Sequence, residues 1–590
     1  MKKLLILLFF PLVSFSQYAP VSVALDSTRL PIVLINTNGQ TIEDDPKVTV
    51  GFKIVFDENK TWQKPSDSVY NYDGIVGIEL RGNSSLYHPK KSFAFETLDA
   101  ADSTDKSYEI LGMPSEEDWI LLANYVDPSL MRNEFMHWLW GKTGNYNIKT
   151  RNVEVILNGQ YIGVYLLTEK IKRDKNRLDL NNLKPDEISG DDLTGGYIVK
   201  RDTRDPDEIY YWQSPYFLYY KPFIVVHPKE DDLQPEQYNY IKNYFDSFEN
   251  ALYGTSFTDS LNGYRPFIDE ESFVDYFLIQ EFSMNVDAYD GSNYYHKDKN
   301  GELRVGPVWD FDESLANLNE CMSTQNSEGW IHSSFPCISQ ATIFWWEKLT
   351  RDCVYSQLTR QKYGDFREAF LNEEVLFNHI DSTAIVLQDA ALRNKQAWEY
   401  FGNFQSRVEE LKDWISDRLI FMDNHLKEVT RAAPLINAPP SGTAFNSTVS
   451  FTSNGCQPGG VLSWHWKTEE FSGKTENSIL SVNAQSNMEV FATCNYPYGC
   501  EISSADVLNL VLDSDNIGCL NTYIVNNNIQ SSIYKLSHKF QSSNTLVAQS
   551  NIEENLKVLF QAQNQIQLLP GFNTSENVTF KAQISPCNTN

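Results

Sequence analysis

A proline-rich segment at residues 433–440 most constrains the fold of this chain, because it separates two parts of different composition. Before it, apolar residues recur at the spacings of strands and then of helices. After it, short alternating runs rich in Ser, Thr, Asn and Val predominate. Closely spaced prolines favour an extended spacer over a packed element. We therefore predict a linker at residues 431–440 with separate folding units on either side.

The part before the linker changes its apolar period near residue 128. Alternation predicts strands at residues 30–35, 48–56, 75–80 and 92–95. Asn158 and Gly159 predict a tight hairpin within residues 153–167, because Asn-Gly supplies the positive φ angles of the turn. Helical spacing, with Asp127 as a candidate cap, follows at residues 130–140, 238–252, 271–282 and 345–426. Strands followed by helices predict an α+β, two-lobed domain over residues 17–430 with a ligand cleft between the lobes.

Two small β domains are predicted after the linker. Residues 441–515 alternate around Trp464 and Trp466, which is typical of an immunoglobulin-like β-sandwich. Residues 516–590 carry short apolar runs at steps of roughly a dozen residues, which is typical of a small stacked-β module. Among the eight cysteines no paired C-x-x-C occurs, which argues against a zinc site. We expect Cys456, Cys494 and Cys500 to staple the first β domain, with a connectivity that their spacing leaves open.

The N-terminus has the features of an export signal. Two lysines precede an apolar run from Leu4 to Val13, and Ser14-Phe-Ser16 has the small-x-small form of a cleavage site. We expect residues 1–16 to be a signal peptide and the protein to be secreted, periplasmic or at the cell surface. No later run reaches about 18 apolar residues, so no membrane span is expected.

The charge balance argues against nucleic acid as a partner. The chain has 49 basic and 78 acidic residues, a formal net charge of −29. Such a chain repels a phosphate backbone at long range. A nucleotide remains compatible with this charge, because local donors and a metal ion hold it.

Two acidic clusters flank one predicted hairpin and carry the sharpest chemical signal. They lie in Asn285-Val-Asp287-Ala-Tyr-Asp290-Gly-Ser-Asn293 and in Trp309-Asp310-Phe-Asp312. Phosphoryl transfer from ATP needs an acceptor for the hydroxyl proton and carboxylates that hold a divalent ion. Asp287 is the candidate for the first role, and Asp310, Asp312 and Asn293 are candidates for the second. The same residues also suit turn-forming acids or a calcium site, since calcium and magnesium both prefer oxygen.

A polar loop and a lysine-bearing strand upstream suit phosphate oxygens. Backbone N–H groups in such a loop approach an anion, and a strand lysine acts as a point charge. The candidates for nucleotide binding are Arg81, Asn83, Ser84, Lys90 and Lys91. Glu169, at the end of the hairpin, is a candidate adenine contact or one half of a surface ion pair. Alternation does not decide which lysine faces the cleft, and a surface strand with snorkelling lysines is the alternative.

Taken as an ordered set, these segments resemble the CotH kinase family, the spore-coat protein H group of atypical secretory kinases. The resemblance spans roughly residues 28–430. It rests on motifs beginning at Arg81, Pro89, Asp118, Met131, Asn158, Asn285, Gly306 and Phe344. One departure is Glu313-Ser-Leu-Ala316-Asn317, where family members commonly have apolar residues and a glycine before the asparagine.

The resemblance implies an ATP- and magnesium-dependent protein kinase, with manganese or calcium as alternative ions. Asp287 matches the family's catalytic aspartate, Asp310 its metal-binding aspartate, and the lysine pair its nucleotide-contacting strand. The expected substrate is an extracytoplasmic protein, and the C-terminal β domains are expected to contact a surface or a glycan. The alternatives are a catalytically inactive kinase-like adhesin or scaffold and, from the paired carboxylates alone, a polysaccharide hydrolase.

Overall fold

The computed structural model describes residues 20–216, 221–317, 326–332, 343–398 and 403–430. Beyond these it describes residue 434 and short segments, mostly strands, between residues 436 and 584. The predicted signal peptide, residues 1–16, lies outside the described residues. Within the described part, no helix is both long and apolar enough to cross a bilayer.

Contacts divide the chain into two compact units, each built from several segments. The first comprises Met1–Lys242, Ile279–Thr342 and Asn372–Arg418. The second comprises Asn243–Leu278, Ile343–Leu371 and Leu419–Asn590.

Seven strands of the first unit close into a barrel in the order β1-β2-β3-β4-β7-β9-β8. The strands of this region are Ile32–Asn36 (β1), Val48–Val55 (β2), Tyr70–Arg81 (β3), Ser92–Leu98 (β4), Tyr108–Ile110 (β5), Met113–Glu116 (β6), Asp118–Leu122 (β7), Thr150–Leu157 (β8) and Gln160–Glu169 (β9). β1 and β8 pair in parallel and close the barrel, whereas its other neighbours pair antiparallel. Inward side chains such as Phe52, Phe95 and Trp119 form its core. Closure leaves no open sheet edge.

The hairpin of β8 and β9 has the predicted turn. Asn158 and Gly159 have φ angles of +51° and +81°, the left-handed values that a two-residue turn requires. Val155 lies opposite Gly163, where the register shifts. The predicted strand pair is confirmed.

A second sheet of the first unit has the order β11-β12-β10-β13-β14. Its strands are Tyr197–Arg201 (β10), Tyr211–Trp212 (β11), Phe223–His227 (β12), Asn293–Lys297 (β13) and Leu303–Val305 (β14). All its neighbours pair antiparallel. β13 and β14 form the hairpin that the two acidic clusters were predicted to flank.

Seven α-helices are described, and the predicted helical segments all contain helices. They are Arg132–Gly141 (α1), Pro235–Tyr253 (α2), Glu270–Ser283 (α3), Trp345–Leu349 (α4), Cys353–Ala369 (α5), Glu373–Trp398 (α6) and Phe404–Val429 (α7). The N-cap residue of α1 is Met131, whose side chain makes no capping bond, and not the predicted Asp127. Asp127 lies four residues earlier and accepts the Arg132 backbone N–H with a carboxylate oxygen at 2.9 Å.

Two antiparallel sheets follow α7. The first has the order β15-β16-β19, and the second has β18-β17-β20-β21 with β22 beside β20. Their strands are Ile436–Asn437 (β15), Thr448–Ser453 (β16), Val461–Lys467 (β17), Ser472–Thr475 (β18), Ile479–Asn483 (β19), Met488–Tyr496 (β20), Cys500–Ser503 (β21) and Leu508–Leu510 (β22). Trp464 is fully buried in a core that both sheets share, and a disulfide joins Cys456 to Cys494. The chain thus enters a sheet at Ile436, inside the range predicted as a linker.

The last strands pair in parallel, as expected of stacked modules. They are Thr522–Val525 (β23), Ser537–Ser542 (β24), Thr545–Ala548 (β25), Asn551–Ile552 (β26), Lys557–Ala562 (β27), Gln565–Leu568 (β28), Asn573–Thr574 (β29) and Thr579–Ile584 (β30). Thr545 pairs with Gln565, and Lys557 with Thr579. Register partners lie about twenty residues apart, because successive strands fall in turn into three sheets. From β24 on, strands that follow each other in sequence start six to eight residues apart, so the predicted step of roughly a dozen residues is wrong.

The structure confirms the α+β class and corrects one part of the predicted fold. The first β-rich region is a closed seven-stranded barrel, which the strand pattern did not indicate. Closure depends on the parallel pairing of β1 with β8, whose residues are far apart in sequence. The two kinase-like lobes, the immunoglobulin-like sandwich and the domain boundaries stay predictions.

Candidate functional site

Four strand ends of the second sheet meet at one edge. Because β10 runs antiparallel to β12 and β13, and β13 to β14, the end of β10 lies with the starts of β12 and β13 and the end of β14. A charged residue lies within five positions of each of these ends: Asp202 and Asp310 follow β10 and β14, and Lys221 and Asp290 precede β12 and β13. We call the resulting cluster the acid edge; it consists of Asp202, Asp287, Asp290, Asp310, Asp312 and Lys221.

Asp287 lies in the loop between α3 and β13. Its carbonyl oxygen accepts the N–H groups of Asp290 and Gly291 at 3.0 and 2.9 Å, which fixes a tight turn. Burial raises the pKa of the Asp287 carboxyl to about 6; Lys221 opposes this rise, whereas Asp310 adds to it. The side chain still exposes 36% of its surface. A reachable carboxyl that titrates near neutral pH is suited to accept a proton.

Asp310 and Asp312 follow β14 and lie against each other. Their carboxyl groups hydrogen-bond, and burial together with the Asp310 charge raises the pKa of Asp312 well above its usual range. An Asp310 oxygen also accepts the hydroxyl of Ser292 at 3.0 Å. Two carboxylates this close repel unless a proton or a cation lies between them.

The acid edge offers oxygen donors for a divalent cation, although no three of its carboxyl groups, all of them on described residues, bring their ligand atoms within 4.8 Å of one another. It holds five carboxyl groups and one ammonium group. Within the described part of the chain, Asp290 Oδ1 is buried without a hydrogen-bond partner, and the nearest Arg201 nitrogen is 3.9 Å away. Asn293 begins β13 at the same edge and is 3% exposed. Such an oxygen-rich set is the donor type that Mg²⁺, Mn²⁺ or Ca²⁺ prefers.

Asn285 ties the two acidic loops together. Its side-chain oxygen accepts the Asp287 N–H at 3.3 Å, and its side-chain nitrogen donates to the Asp310 carbonyl at 3.2 Å. Asn285 is 2% exposed, so both bonds are shielded from water. The distance between the proton-accepting and metal-binding candidates is thereby set by one side chain.

The last turn of α3 anchors the Asp287 loop from behind. Glu281 is fully buried and accepts the Tyr289 hydroxyl at 3.1 Å and the backbone N–H groups of Ile331 and His332 at 2.9 Å. Arg201 donates to the Tyr289 carbonyl at 2.7 Å. Tyr289 therefore connects α3 to the end of β10 beneath the acid edge.

The start of α1 holds the loop that carries Asp310. Arg132 donates to the carbonyls of Ser314 and Leu315, both at 3.0 Å, and bonds Asp127 at 2.6 Å. Asn133 accepts the Phe311 N–H at 2.8 Å. We call residues 306–317, which carry Asp310, the metal-side loop. The sequence motif around Met131 thus has a structural reason, because its side chains position this loop.

Left-handed backbone accumulates in the same loops. Among the described residues, twelve residues other than glycine have positive φ, and five of them lie in the loop between α3 and β13 or in the loop that follows β14. These five are Met284 (+47°), Ser292 (+53°), Asp310 (+67°), Leu315 (+50°) and Ala316 (+63°). Strain of this kind persists where surrounding contacts enforce it, and it often marks a functional site.

Of the predicted nucleotide contacts, Arg81 is brought to the acid edge. It ends β3, and its guanidinium lies over the Trp309 ring, 5.5 Å from the centroid. It also influences the pKa of Tyr294, as Asp202 does. A barrel residue and the acidic loops therefore share one site within the first unit.

Asn83, Ser84 and Lys91 belong to the loop between β3 and β4. Asn83 and Ser84 are exposed at the start of a short 3₁₀ turn, Ser84–Tyr87. Lys91 donates to the Leu86 carbonyl and so braces this turn. The loop continues directly from Arg81.

Lys90 is held inside the first unit, away from any phosphate. Its ammonium group donates to the carbonyls of Ala123 (2.7 Å) and Val164 (2.5 Å) and to the side-chain oxygen of Asn394 (3.0 Å). Burial lowers the pKa of Lys90 well below its usual range. Because all three donors have acceptors, we leave Lys90 out of the proposed site.

Glu169 has a structural environment. It is fully buried, and one carboxylate oxygen accepts the Tyr146 hydroxyl and the Lys149 N–H, both at 2.8 Å. Its own N–H donates to the Lys149 carbonyl, and its carbonyl accepts the Thr168 hydroxyl. These contacts give Glu169 a structural role, and we leave it out of the proposed site as well.

A second acidic cluster, Glu116, Glu117 and Asp118, has ligand atoms close enough to hold a metal ion. The Lys172 ammonium already lies 2.6, 2.9 and 2.6 Å from these three carboxylates. Lys170 adds a second bond to Asp118 at 3.1 Å. Lysines therefore occupy the position of a cation there.

Sequence reasoning missed Lys221, Asp202, Asn285 and Arg132 as parts of the site. Lys221 and Asp202 flank different strands and belong to no recognisable motif. Asn285 and Arg132 stood inside quoted motifs without a role. Antiparallel strand order is the signal that brings Lys221 and Asp202 to the acids, and it becomes readable only once the sheet is known.

Comparison with protein families gives one match. The model of a family described as CotH kinase protein matches residues 78–422, which is more than half of the chain and includes every acid-edge residue. No curated protein matches the chain.

Proposed function

Because the chain belongs to the CotH kinase family, we propose that it transfers the γ-phosphoryl group of ATP to hydroxyl groups of proteins. The observation that carries the proposal is the convergence of Asp287 and the Asp310–Asp312 pair on one edge of the second sheet. Phosphoryl transfer needs little covalent chemistry from the protein beyond positioning and charge stabilisation. The acid edge supplies groups for both.

In this reaction Asp287 accepts the proton of the attacking hydroxyl. The bond from the acceptor oxygen to the γ-phosphorus forms, the bond from that phosphorus to the bridging β–γ oxygen breaks, and ADP leaves with the electron pair. A base works best when its pKa lies close to the working pH. The pKa of about 6 that burial gives Asp287 meets this condition.

Asp310 and Asp312 would hold a magnesium ion, with Asp290 and Asn293 at the same edge. When bound, such an ion neutralises charge on the phosphate oxygens. Asn285, Arg132 and Asn133 keep these carboxylates in place through the bonds described above. Arg81, whose guanidinium lies over Trp309, is a candidate contact for a nucleotide seated beside Asp310.

We further propose that the kinase acts outside the cytoplasm on surface or secreted proteins. The support is the N-terminal sequence, with its lysines, short apolar run and Ser14-Phe-Ser16 site. The two sheets and the parallel strands after α7 are proposed to contact a surface or a glycan.

The test is incubation of the purified chain with γ-labelled ATP, Mg²⁺ and casein, beside an Asp310→Ala variant. Label on casein or on the chain itself, lost in the variant, supports the proposal. Equal label in both samples reveals a contaminating kinase. Absence of transfer together with absence of nucleotide binding favours the adhesin or scaffold instead.

A further inference from the structure

We propose that Lys221 binds the γ-phosphoryl group of ATP and stabilises it during transfer. This inference rests on the proposed kinase function. It assigns the phosphate-binding role to a lysine at the acid edge, in place of Lys90 and Lys91, the two lysines before β4 that the sequence suggested.

The position of the Lys221 ammonium group is the first argument. Its Nζ lies 3.8 Å from Asp287 Oδ1 and 3.7 Å from Asp290 Oδ2. Both distances allow attraction but exceed hydrogen-bond length. Among the described residues, Lys221 has no hydrogen bond to an acceptor, so its three donors are held in place by charge and stay available to a ligand.

The distance to Asp287 places these donors where the phosphoryl group must lie. An acceptor hydroxyl that gives its proton to Asp287 lies about 3 Å from that carboxylate. The γ-phosphorus lies about 3 to 3.5 Å beyond the attacking oxygen in a near-attack arrangement. A cation 3.8 Å from Asp287 Oδ1 is therefore within reach of the equatorial phosphoryl oxygens.

The packing of Gly291 against Lys221 is the second argument. A Cβ atom built on Gly291 would lie 2.1 Å from Lys221 Nζ and 2.3 Å from its Cδ. The lysine side chain thus crosses the turn that carries Asp287 and Asp290, and a side chain at position 291 would displace it from its present position. The turn and the lysine form one unit, which fixes the ammonium group relative to the proton acceptor.

The other lysines considered for the phosphates are engaged elsewhere. Lys90 donates to three protein acceptors, Lys91 to the Leu86 carbonyl, and Lys200 pairs with Glu208 at 2.6 Å. Four carboxylates, with Asp287 the strongest, raise the pKa of Lys221 against the opposing effect of its burial, so the group is charged at neutral pH.

The experiment compares the binding of ADP and of a non-hydrolysable ATP analogue, both with Mg²⁺, by calorimetry. Wild type is expected to bind the analogue more tightly than ADP, and Lys221→Met to lose that preference with ADP binding unchanged. Transfer from ATP should fall about 100-fold, the usual effect of removing one preorganised donor. Lys221→Arg, which keeps the charge, should retain part of the preference.

Two further variants serve as a second test of the Lys221 position and as a control. Gly291→Ala displaces the ammonium group without removing it and should reproduce the loss of preference even if Lys221→Met folds poorly. Lys299→Met removes a lysine at the β13–β14 turn, where it pairs with Glu187 at 2.8 Å, and should leave the preference intact.

The contrary outcomes are distinct. If wild type prefers the analogue and both Lys221→Met and Gly291→Ala keep that preference, the role proposed for Lys221 is wrong while the kinase proposal stands. If the variants weaken both nucleotides equally, Lys221 only holds the carboxylates apart, which also overturns the inference. If wild type binds neither nucleotide, the proposed function fails and the inference fails with it.

Discussion

The barrel and the acid edge each contain a partly or fully buried lysine, but the two lysines differ in their hydrogen bonds. In the barrel, Lys90 is 1% exposed and gives each of its donors to a neutral protein acceptor. At the acid edge, Lys221 lies between two carboxylates without bonding either at hydrogen-bond distance. The first arrangement stabilises a fold, because buried polar groups are satisfied. The second leaves charge uncompensated, which is what a site for an anion and a cation requires.

Of the changes that distinguish the acid edge from the barrel, Asp287→Asn has the largest expected effect on phosphoryl transfer. It removes the proton acceptor but keeps the size of the side chain, so we expect transfer to fall at least about 1,000-fold, or about 4 kcal/mol in the barrier. The fold should remain, because Asp287 holds its turn through its backbone carbonyl. Steady-state kinetics and a thermal melt of the same preparation measure both effects. A variant with unchanged turnover would remove Asp287 from the mechanism.

Lys90→Met should show the reverse pattern. Without the ammonium group the carbonyls of Ala123 and Val164 lose their donor in a buried site, so we expect a loss of about 3 kcal/mol in the free energy of unfolding. Catalysis by the remaining folded fraction should be unchanged. Denaturant unfolding gives the first quantity, and activity per folded molecule gives the second.

The matched control for Lys90 is Lys53→Met. Lys53 is exposed and pairs with Asp73 at 3.0 Å on the barrel surface, where such a pair contributes little. If both variants lose the same stability, the buried bonds of Lys90 have no special weight. If Lys90→Met abolishes ATP binding in folded protein, the nucleotide role predicted for Lys90 is restored.

His137, which packs against the metal-side loop, is a third buried titratable group to compare with Lys90 and Lys221. It is 1% exposed between Trp309 and Phe311, and within the described residues both ring nitrogens are without hydrogen-bond partners. Burial lowers the pKa of His137 from 6.5 to about 3. The unfolded chain therefore binds the proton more readily, and stability is complete above pH 6.5 and falls as the pH drops toward 3. We expect a loss of about 2 kcal/mol from this group between pH 7 and 5.

His137→Phe checks that assignment. The phenyl ring suits the aromatic surroundings and carries no proton, so the pH dependence of unfolding should flatten by that amount while stability at pH 7 stays equal or rises. Chemical unfolding at several pH values measures the slope. A slope identical to that of wild type would show that other groups govern acid unfolding.

Local pattern predicted the elements better than it predicted their surroundings. The β8–β9 hairpin, the helices and the acidic loops were readable, because turn residues and apolar spacing act over a few positions. Barrel closure was not, because it pairs β1 with a strand more than a hundred residues away. For the same reason Lys90 could not be ranked against Lys91, and Lys221 was missed: the partners of Lys90 include Asn394, and those of Lys221 include Asp287, both distant in sequence.

One departure from the family pattern can be related to the backbone conformation of a single residue. The sequence has Ala316 where the resemblance to the family leads us to expect a glycine, and Ala316 adopts a φ of +63°. A left-handed conformation costs an L-residue about 1 kcal/mol more than it costs glycine. Ala316→Gly should therefore increase the free energy of unfolding by up to about 1 kcal/mol, because the released strain exceeds the added entropy of the unfolded chain.

The control for this last variant is Ala101→Gly, in an exposed turn without a left-handed φ, where the same change should destabilise slightly. Urea unfolding of both variants gives the sign directly. Opposite signs mean that the metal-side loop stores strain that its contacts with Arg132 enforce. Destabilisation by both would mean that Ala316 is held without strain and that the loop tolerates the missing glycine at no cost.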